Sequence, residues 1–189
     1  MVLAVLDSNV LYSSQVRNLF LWCAVQDLYT PLWSQEIIDE VGRNIVRNGA
    51  MSARQWSRLL GELRSHFGGA WGTGYECAAA GAAMPDEGDR HVLALAVHYE
   101  ADVIVTSNTR HFPKHELARF DIEPLGPAGF AKRLWLQGPD RAMEAARLHR
   151  QSLTHSRLSG EEYVGSLREG AGLRFFARRL VEGGFLETG

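Results

Sequence analysis

Five residues with oxygen-bearing side chains are candidates for chemistry: Asp7, Glu40, Asp86, Asp89 and Asn108. Asp7 directly follows an apolar run, and Asn108 follows a second such run by two residues. Asp86 and Asp89 lie in the turn that opens the helix before this second run, and Glu40 lies about two turns into another helix. Because ligands bind beyond the carboxyl ends of the strands in an open parallel sheet, we expect these side chains to share one cleft.

Clustered carboxylates need a compensating positive charge. Two ionised carboxyl groups a few ångström apart repel each other, and one of them is normally protonated at neutral pH. A divalent cation removes this repulsion, and Mg²⁺ and Mn²⁺ prefer hard oxygen ligands while keeping several waters. One or two such ions can activate a water and stabilise the leaving oxygen of a phosphodiester. The pattern therefore favours metal-dependent phosphodiester hydrolysis, provided that three or four acids from separate elements converge.

Each acid also has a purely structural interpretation. Asp7 at a strand end can cap the next turn, and Glu40 can be a solvated helix residue that pairs with Arg43 or Asn44. Asp86 lies in Pro85-Asp86-Glu87-Gly88, which has the composition of a turn, and can cap a helix. Asp89 is favoured at a helix start by the helix dipole. Spacing alone leaves these alternatives open.

The elements that would position these residues alternate along the first two thirds of the chain. Apolar runs predict strands at 2–6, 29–33, 103–106 and 121–125, and apolar spacing and capping residues predict helices at 16–25, 34–48, 52–67 and 89–100. The glycine-rich stretch 68–74 is predicted to be a loop. Strands alternating with helices indicate the α/β class, with a central parallel sheet flanked by helices.

Gly126-Pro127 ends this alternation, and helices are predicted at 128–135, 140–151, 160–169 and 173–181 with no strand between them. We therefore predict a sheet domain at 1–127 and an α-helical C-terminal extension at 128–189. Residues 1–127 carry 10 Lys+Arg and 15 Asp+Glu, net −5, whereas residues 128–189 carry 10 and 7, net +3. An acidic body that binds cations and a basic tail that meets phosphates would fit this imbalance, and ordinary surface variation explains it equally well.

The composition indicates a globular protein with a core: 46% of the residues are hydrophobic and 22% are charged. No apolar run approaches the roughly 18 residues that span a bilayer, and the apolar N-terminus lacks a basic leader. Cys23 and Cys77 are isolated, which excludes a stapled framework or a cysteine-rich metal site and leaves one disulfide open. We predict a cytoplasmic protein with no membrane association.

Four blocks of sequence resemble the PIN-domain family of ribonucleases, in the family's order. The first is Leu6-Asp7-Ser8-Asn9-Val10-Leu11, and the second is Ser34-Gln35-Glu36-Ile37-Ile38-Asp39-Glu40-Val41. The third is Asp86-Glu87-Gly88-Asp89-Arg90-His91-Val92-Leu93-Ala94, and the fourth is Val103-Ile104-Val105-Thr106-Ser107-Asn108, followed by His111-Phe112-Pro113. The resemblance covers about residues 2–127 and implies a PIN-like, Rossmann-like sheet.

The resemblance implies roles for the acids. Asp7, Glu40 and Asp89 would be catalytic metal ligands, with Glu36 as the substitute for Glu40 one turn earlier on nearly the same helix face. Asp86 would support the ligands or bind a second ion. The family's commonest pattern has Asp where Asn108 stands; Asn108 would position water or metal without adding charge.

The resemblance also implies an activity and partners. The chain would be a Mg²⁺- or Mn²⁺-dependent endoribonuclease, and its helical tail is similar to that of one subgroup of VapC-like toxins from toxin–antitoxin pairs. Such toxins act on RNA, are silenced by a small antitoxin protein that covers the cleft, and commonly form homodimers. A degenerate PIN-like module that binds RNA or protein without cutting is the alternative that Asn108 leaves open.

Other residues are weaker candidates, each with a structural alternative. Arg90 and the tail residues Arg174, Arg178 and Arg179 are predicted RNA-phosphate contacts, although solvated helix faces also carry such arginines. His91 is a candidate general acid or a packing residue. Trp71 is a candidate for base stacking or a core residue.

Two other enzyme classes fit less well. An aspartyl-phosphate phosphatase also has Asp after its first strand but needs a second acid two residues later, where this chain has Asn9. No glycine-rich fingerprint supports a dinucleotide or P-loop site.

Overall fold

A computed structural model describes residues 1–78, 84–154 and 156–187 of the chain. The strands are β1 (Leu3–Leu6), β2 (Thr30–Ser34), β3 (Trp71–Gly72), β4 (Val103–Val105) and β5 (Glu123–Leu125). The α-helices are α1 (Ser8–Tyr12), α2 (Ser14–Val25), α3 (Gln35–Arg47), α4 (Ala53–His66), α5 (Arg90–His98), α6 (Lys114–Leu117), α7 (Pro127–Gln137), α8 (Pro139–Ser152), α9 (Gly160–Gly165) and α10 (Arg174–Glu182). Short 3-10 turns lie at Gly68–Ala70, Glu87–Asp89, Thr109–His111, Ala118–Phe120 and Phe185–Glu187, and a π-helical turn lies at Ser166–Gly170.

The five strands form one sheet in the order β3-β2-β1-β4-β5. β1 and β4 pair in parallel, with Ala4 opposite Val103 and Leu6 opposite Val105, and β2 pairs in parallel with β3. The paired residues of β1 and β4 are fully buried, as expected for apolar strands whose two faces are both covered. The predicted α/β class, with a parallel sheet flanked by helices and a helical C-terminal region, is confirmed.

Capping residues fix the helix starts around the sheet. The hydroxyl of Ser34 accepts a hydrogen bond from the backbone N–H of Ile37 at 3.2 Å, so β2 passes directly into α3. Ser52 and Gln55 form a reciprocal capping box at the start of α4. Both helix starts were predicted from the sequence.

The structure differs from the predicted elements around two short segments. A single-turn helix, α1, follows β1 where no helix was predicted, and β3 lies inside the stretch 68–74 that was predicted to be a loop. At Gly72 the backbone lies so close to Leu95 and Tyr99 that a Cβ atom would clash with both side chains. The glycine therefore permits the close approach of a strand to α5.

The chain divides into two units by its internal contacts: one holds 2–12 and 31–124, and the other holds 1, 13–30 and 125–189. The first, here called the sheet unit, contains nearly all of the sheet. The second, here called the helical unit, contains α2 together with α7 to α10. In this division α2 belongs with the C-terminal helices because it packs against α8.

Aromatic side chains form the core of the helical unit. Phe130 lies edge-on to Phe20 at 5.2 Å and to Tyr29 at 4.9 Å between ring centroids, and the Tyr29 hydroxyl donates to the Phe20 carbonyl at 3.1 Å. Trp135 meets Phe176 edge-on at 5.3 Å. These contacts join α2, α7 and α10 into one core.

His149 of α8 is a fully buried titratable group in this core. Its Nδ1 lies 3.0 Å from the hydroxyl of Tyr163, and its Nε2 has no hydrogen-bond partner among the described residues. Burial lowers the pKa of His149 from 6.5 to about 4, since a charged imidazolium would lose its hydration there. The folded chain therefore holds this side chain neutral over the mildly acidic range.

Acidification should therefore destabilise the helical unit through His149. Between about pH 6.5 and about pH 4 the unfolded chain takes up a proton that the folded chain refuses, so the free energy of unfolding falls, by up to about 3 kcal/mol for this group. Denaturant titrations at pH 7 and pH 4.5 should show a larger loss of stability for the natural chain than for His149→Gln, which does not titrate. Equal losses in both proteins would contradict this assignment.

Candidate functional site

Asp7 lies immediately after β1 and is 2% exposed. Its Oδ1 accepts a hydrogen bond from the backbone N–H of Ser8 at 2.6 Å. Its Oδ2 accepts from the hydroxyl of Thr106 at 2.6 Å and from the side-chain amide of Asn9. The carboxylate is therefore fixed in one orientation by three donors at the end of the first strand.

The same hydrogen bonds tie the end of β1 to the segment that follows β4. Asn9 donates from its side-chain amide to the Thr106 hydroxyl at 3.1 Å, and its amide oxygen accepts from the backbone N–H of Ser107 at 2.8 Å. The backbone N–H of Asn108 donates to Thr106 Oγ1 at 3.0 Å. This network holds the two neighbouring strand ends, and the side chains that leave them, in a fixed register.

Two of the other predicted acids influence the pKa of the Asp7 carboxyl. Burial is the largest influence on the Asp7 carboxyl and raises its pKa above the usual 3.8, whereas the hydrogen bonds from Thr106 and Ser8 lower it. The negative charges of Asp89 and Glu40 raise it further. Asp7, Glu40 and Asp89 come from three separate elements, and the charges of Glu40 and Asp89 both act on the Asp7 carboxyl.

A second group of ligand-type atoms surrounds Asp89. His111 Nδ1 lies 2.7 Å from Asp89 Oδ2 and 3.7 Å from Asp86 Oδ2, and one ligand atom from each of the three residues lies within 4.8 Å of the others. The other carboxylate oxygen of Asp86 accepts from the backbone N–H of Gly88 at 2.9 Å and so caps the 3-10 turn. Asp86 therefore has the capping role that its turn sequence suggested and also faces this cluster.

Glu36 has different neighbours from Glu40. Its Oε2 accepts from the Tyr75 hydroxyl at 3.4 Å, and its Oε1 lies 3.8 Å from His91 Nδ1. His91 Nδ1 also lies 2.7 Å from the Gly88 carbonyl, and its Nε2 is buried without a partner among the described residues. Of the two glutamates that the sequence left open, Glu40 is the one whose charge acts on Asp7.

The remaining candidates are placed as follows. Asn108 is exposed just beyond β4, and Arg90 is half-buried at the first position of α5. Trp71 packs edge-on to Trp33 at 6.1 Å under the guanidinium of Arg64, which fits a packing role. Three further arginines belong to the helical unit and are exposed on α10: Arg174, Arg178 and Arg179.

Two residues of this site were not assigned a role from the sequence. Thr106 was predicted only as the last residue of an apolar strand, and His111 only as part of the block that follows it. A polar residue at the end of an otherwise apolar strand is the signal that could have identified Thr106. Nothing in the local sequence predicts the contact of His111 with Asp89, because the two residues are 22 positions apart.

The donor set fits a divalent cation with oxygen ligands. A buried carboxylate with two charged acids nearby is held in its least favourable surroundings unless a cation or a proton neutralises it. Asp86 and Asp89 offer hard carboxylate oxygens that Mg²⁺ and Mn²⁺ accept, and His111 offers a nitrogen that Mn²⁺ tolerates. These are the described residues whose ligand atoms lie within 4.8 Å of one another. These residues fit such an ion.

Comparison with known proteins agrees with this geometry. The profile of the PIN domain family matches residues 4–110, which is more than half of the chain. A 42-residue stretch is 52% identical to "Putative ribonuclease VapC50" of Mycobacterium tuberculosis (strain ATCC 25618 / H37Rv). That stretch is 22% of this chain and 25% of the relative, so the match spans about a quarter of the relative's length. No solved structure shows a significant match to the chain.

The hydrogen bond from Thr106 should stabilise the ionised form of Asp7. Thr106→Val removes the donor but keeps the shape of the side chain, so in the presence of a chelator the free energy of unfolding at neutral pH should fall by about 1–3 kcal/mol. Thr106→Ser, which retains the hydroxyl, should lose less. Chemical denaturation measures the difference, and a Thr106→Val protein at least as stable as Thr106→Ser would show that the hydroxyl contributes nothing to this site.

Proposed function

Because the chain belongs to the PIN domain family, we propose that it is a divalent-metal-dependent endoribonuclease that hydrolyses RNA phosphodiester bonds. The observation that carries this proposal is the buried carboxylate of Asp7, which three hydrogen bonds fix at the end of β1. The proposal gathers acids from three separate elements near the carboxyl ends of the strands, which is where open α/β sheets bind ligands. A group of acids suits phosphodiester hydrolysis better than a purely structural role, because a structural role gains no stability from carboxylates that repel one another.

In this proposal Asp7, Glu40 and Asp89 hold the metal, Mg²⁺ or Mn²⁺, and Asp86 lies beside them. The ion supplies an activated water and stabilises charge on the phosphate oxygens. The chain contributes orientation: Thr106, Ser8 and Asn9 fix both oxygens of Asp7, and His111 fixes Asp89. Asn108 is held just beyond β4 by the hydrogen bond from its backbone N–H to Thr106, and its neutral side-chain amide would orient water.

His111 adds an imidazole nitrogen to the carboxylates of this cluster. Its short contact with Asp89 restricts the rotation of that carboxylate, so the ligand oxygen is held in place before the substrate arrives. Arg90, half-buried in the first turn of the next helix, is the predicted phosphate contact of the sheet unit.

We further propose that the chain is the toxin of a VapC-like toxin–antitoxin pair, that a small antitoxin protein silences it, and that it forms a homodimer. The 42-residue match to a protein named as ribonuclease VapC50 supports this finer assignment. No helix among the described residues has both the length and the apolar character to cross a membrane. The cytoplasmic location stays a prediction.

A catalytically silent PIN-like module is the second candidate, and the exposed Asn108 in place of an acid is the observation that favours it. Such a module would bind RNA or protein without cutting. A nuclease needs these acids for cleavage, whereas a binding module does not. Substitution of the acids therefore separates the two candidates.

Asp7→Asn and Asp89→Asn should each reduce Mg²⁺- or Mn²⁺-dependent RNA cleavage by about 100-fold or more, because residues that merely support metal ligands already contribute about 10- to 100-fold. Single-turnover cleavage of a labelled RNA measures the effect. Asp39→Asn is the matched control, since Asp39 is exposed beside Glu40 on α3 and bonds only to Gln35 among the described residues. Cleavage by the Asp7 and Asp89 variants at the natural rate would refute these roles.

The toxin assignment predicts a growth phenotype. Induced expression of the natural chain should arrest bacterial growth, whereas expression of Asp89→Asn to the same level should not, because the arrest depends on hydrolysis. Growth curves and protein levels measured together test this. Equal arrest by both proteins would mean that the toxicity does not depend on Asp89.

A further inference from the structure

A basic groove with an aromatic floor lies on the helical unit. Its volume is about 420 Å³, and it is lined by Arg168, Arg174, Phe175 and Arg178. Arg168 comes from the π-helical turn that packs against α10, and the other three residues come from α10 itself. The three arginines are exposed and Phe175 is half-buried. The lining therefore offers three positive charges, no negative charge and one partly open ring.

Two cationic side chains lie near the ring of Phe175. The Nζ of Lys132 on α7 lies 5.5 Å from the ring centroid, and the Cζ of Arg178 lies 5.7 Å from it. These distances are within the range of a cation–π interaction, so the ring and its cations form a single preassembled surface. The ion pair between Arg178 and Glu182 is weak, because its Nε–Oε1 distance is 3.7 Å and both side chains are exposed.

We propose that this groove, defined by Arg168, Arg174, Phe175 and Arg178, binds single-stranded RNA. Phe175 stacks on one base, and the arginines contact the phosphates on either side of it. The identity of the RNA as substrate rests on the proposed nuclease function, whereas the binding chemistry rests on the groove. Single strands are favoured because the bases of a duplex are stacked on each other and leave no face for Phe175.

The aromatic ring also argues against an acidic protein as the occupant. Carboxylates of a peptide would satisfy the arginines but would leave Phe175 without a flat partner. A nucleotide offers both groups at once, an anion for each guanidinium and a ring for the phenyl group. The combination therefore fits a nucleic acid strand better than it fits an acidic peptide.

The groove refines the set of arginines that the sequence nominated. Arg174 and Arg178 line it, and Arg168 joins them from a different element. Arg179 does not line it; its guanidinium pairs with Glu182 at 2.7 Å and lies 6.0 Å from the centroid of the Trp135 ring. We therefore assign the phosphate contacts to Arg168, Arg174 and Arg178.

The electrostatic part of the proposal is tested by the salt dependence of binding. A fluorescent single-stranded oligoribonucleotide is titrated with the full chain in a chelator, so that no cleavage occurs. Arg174→Gln/Arg178→Gln should weaken binding by about 10-fold and reduce the slope of log affinity against log salt by about 1.4, at about 0.7 per lost phosphate contact. Arg54→Gln/Arg58→Gln removes the same charge from exposed positions of α4 and should change neither quantity appreciably. Equal effects of the two double variants would overturn the proposal.

The stacking part is tested with the same RNA and an abasic strand of equal length. The natural chain should prefer the strand with bases, Phe175→Leu should lose about 5-fold or more of that preference, and Phe175→Trp should retain it. Melting temperatures verify that each variant is folded. If the natural chain shows no preference for bases and polyglutamate displaces RNA as effectively as RNA itself, the groove is a site for acidic proteins and the proposal is wrong.

These results separate the groove from the proposed nuclease function. If the natural chain cuts RNA with Mn²⁺ but the groove variants bind RNA as tightly as it does, the groove assignment fails and the nuclease stands. If the chain binds RNA through the groove yet cuts none with Mg²⁺ or Mn²⁺, the nuclease assignment fails and the groove stands.

Discussion

A buried carboxylate with other negative charges nearby is the constraint on which the sheet unit depends. Asp7 is almost completely withdrawn from water, and Glu40 and Asp89 repel it. The hydrogen bonds from Thr106 and Ser8 offset only part of the unfavourable burial, because the net effect still raises the pKa of Asp7. The attraction of a bound cation would offset both the repulsion and the cost of burying the carboxylate, so the same feature that destabilises the folded chain favours a metal site.

The fold provides this arrangement through the pairing of neighbouring strands. Because β1 and β4 are parallel and in register from Ala4 to Leu6, the residues after Leu6 and after Val105 leave the sheet at the same edge. Thr106 and Asn9 then connect the two exits. The site thus depends on a register that the apolar strands set through their burial, and a change in that register would separate Asp7 from Thr106.

Much of this arrangement could be predicted from the sequence, and the rest could not, for identifiable reasons. The apolar runs and the capping residues Ser34 and Ser52 predict the elements because these signals are local. That the residues after β1 and after β4 leave the sheet at one edge follows from the rule that neighbouring parallel strands end together. The pairing of His111 with Asp89, the strand at Trp71–Gly72 and the packing of α2 with α8 depend on contacts between distant residues, which no local pattern encodes.

The most direct test of a cation-dependent carboxylate site is a measurement of Mn²⁺ binding in the absence of RNA. Calorimetry or the electron paramagnetic resonance signal of free Mn²⁺ measures this binding. The natural chain should bind Mn²⁺, and Asp7→Asn should weaken the affinity by about 10-fold or more, since it removes a charge that the ion neutralises. Asp39→Asn should bind as the natural chain does. Absence of Mn²⁺ binding by the natural chain, or unchanged affinity in Asp7→Asn, would contradict the account.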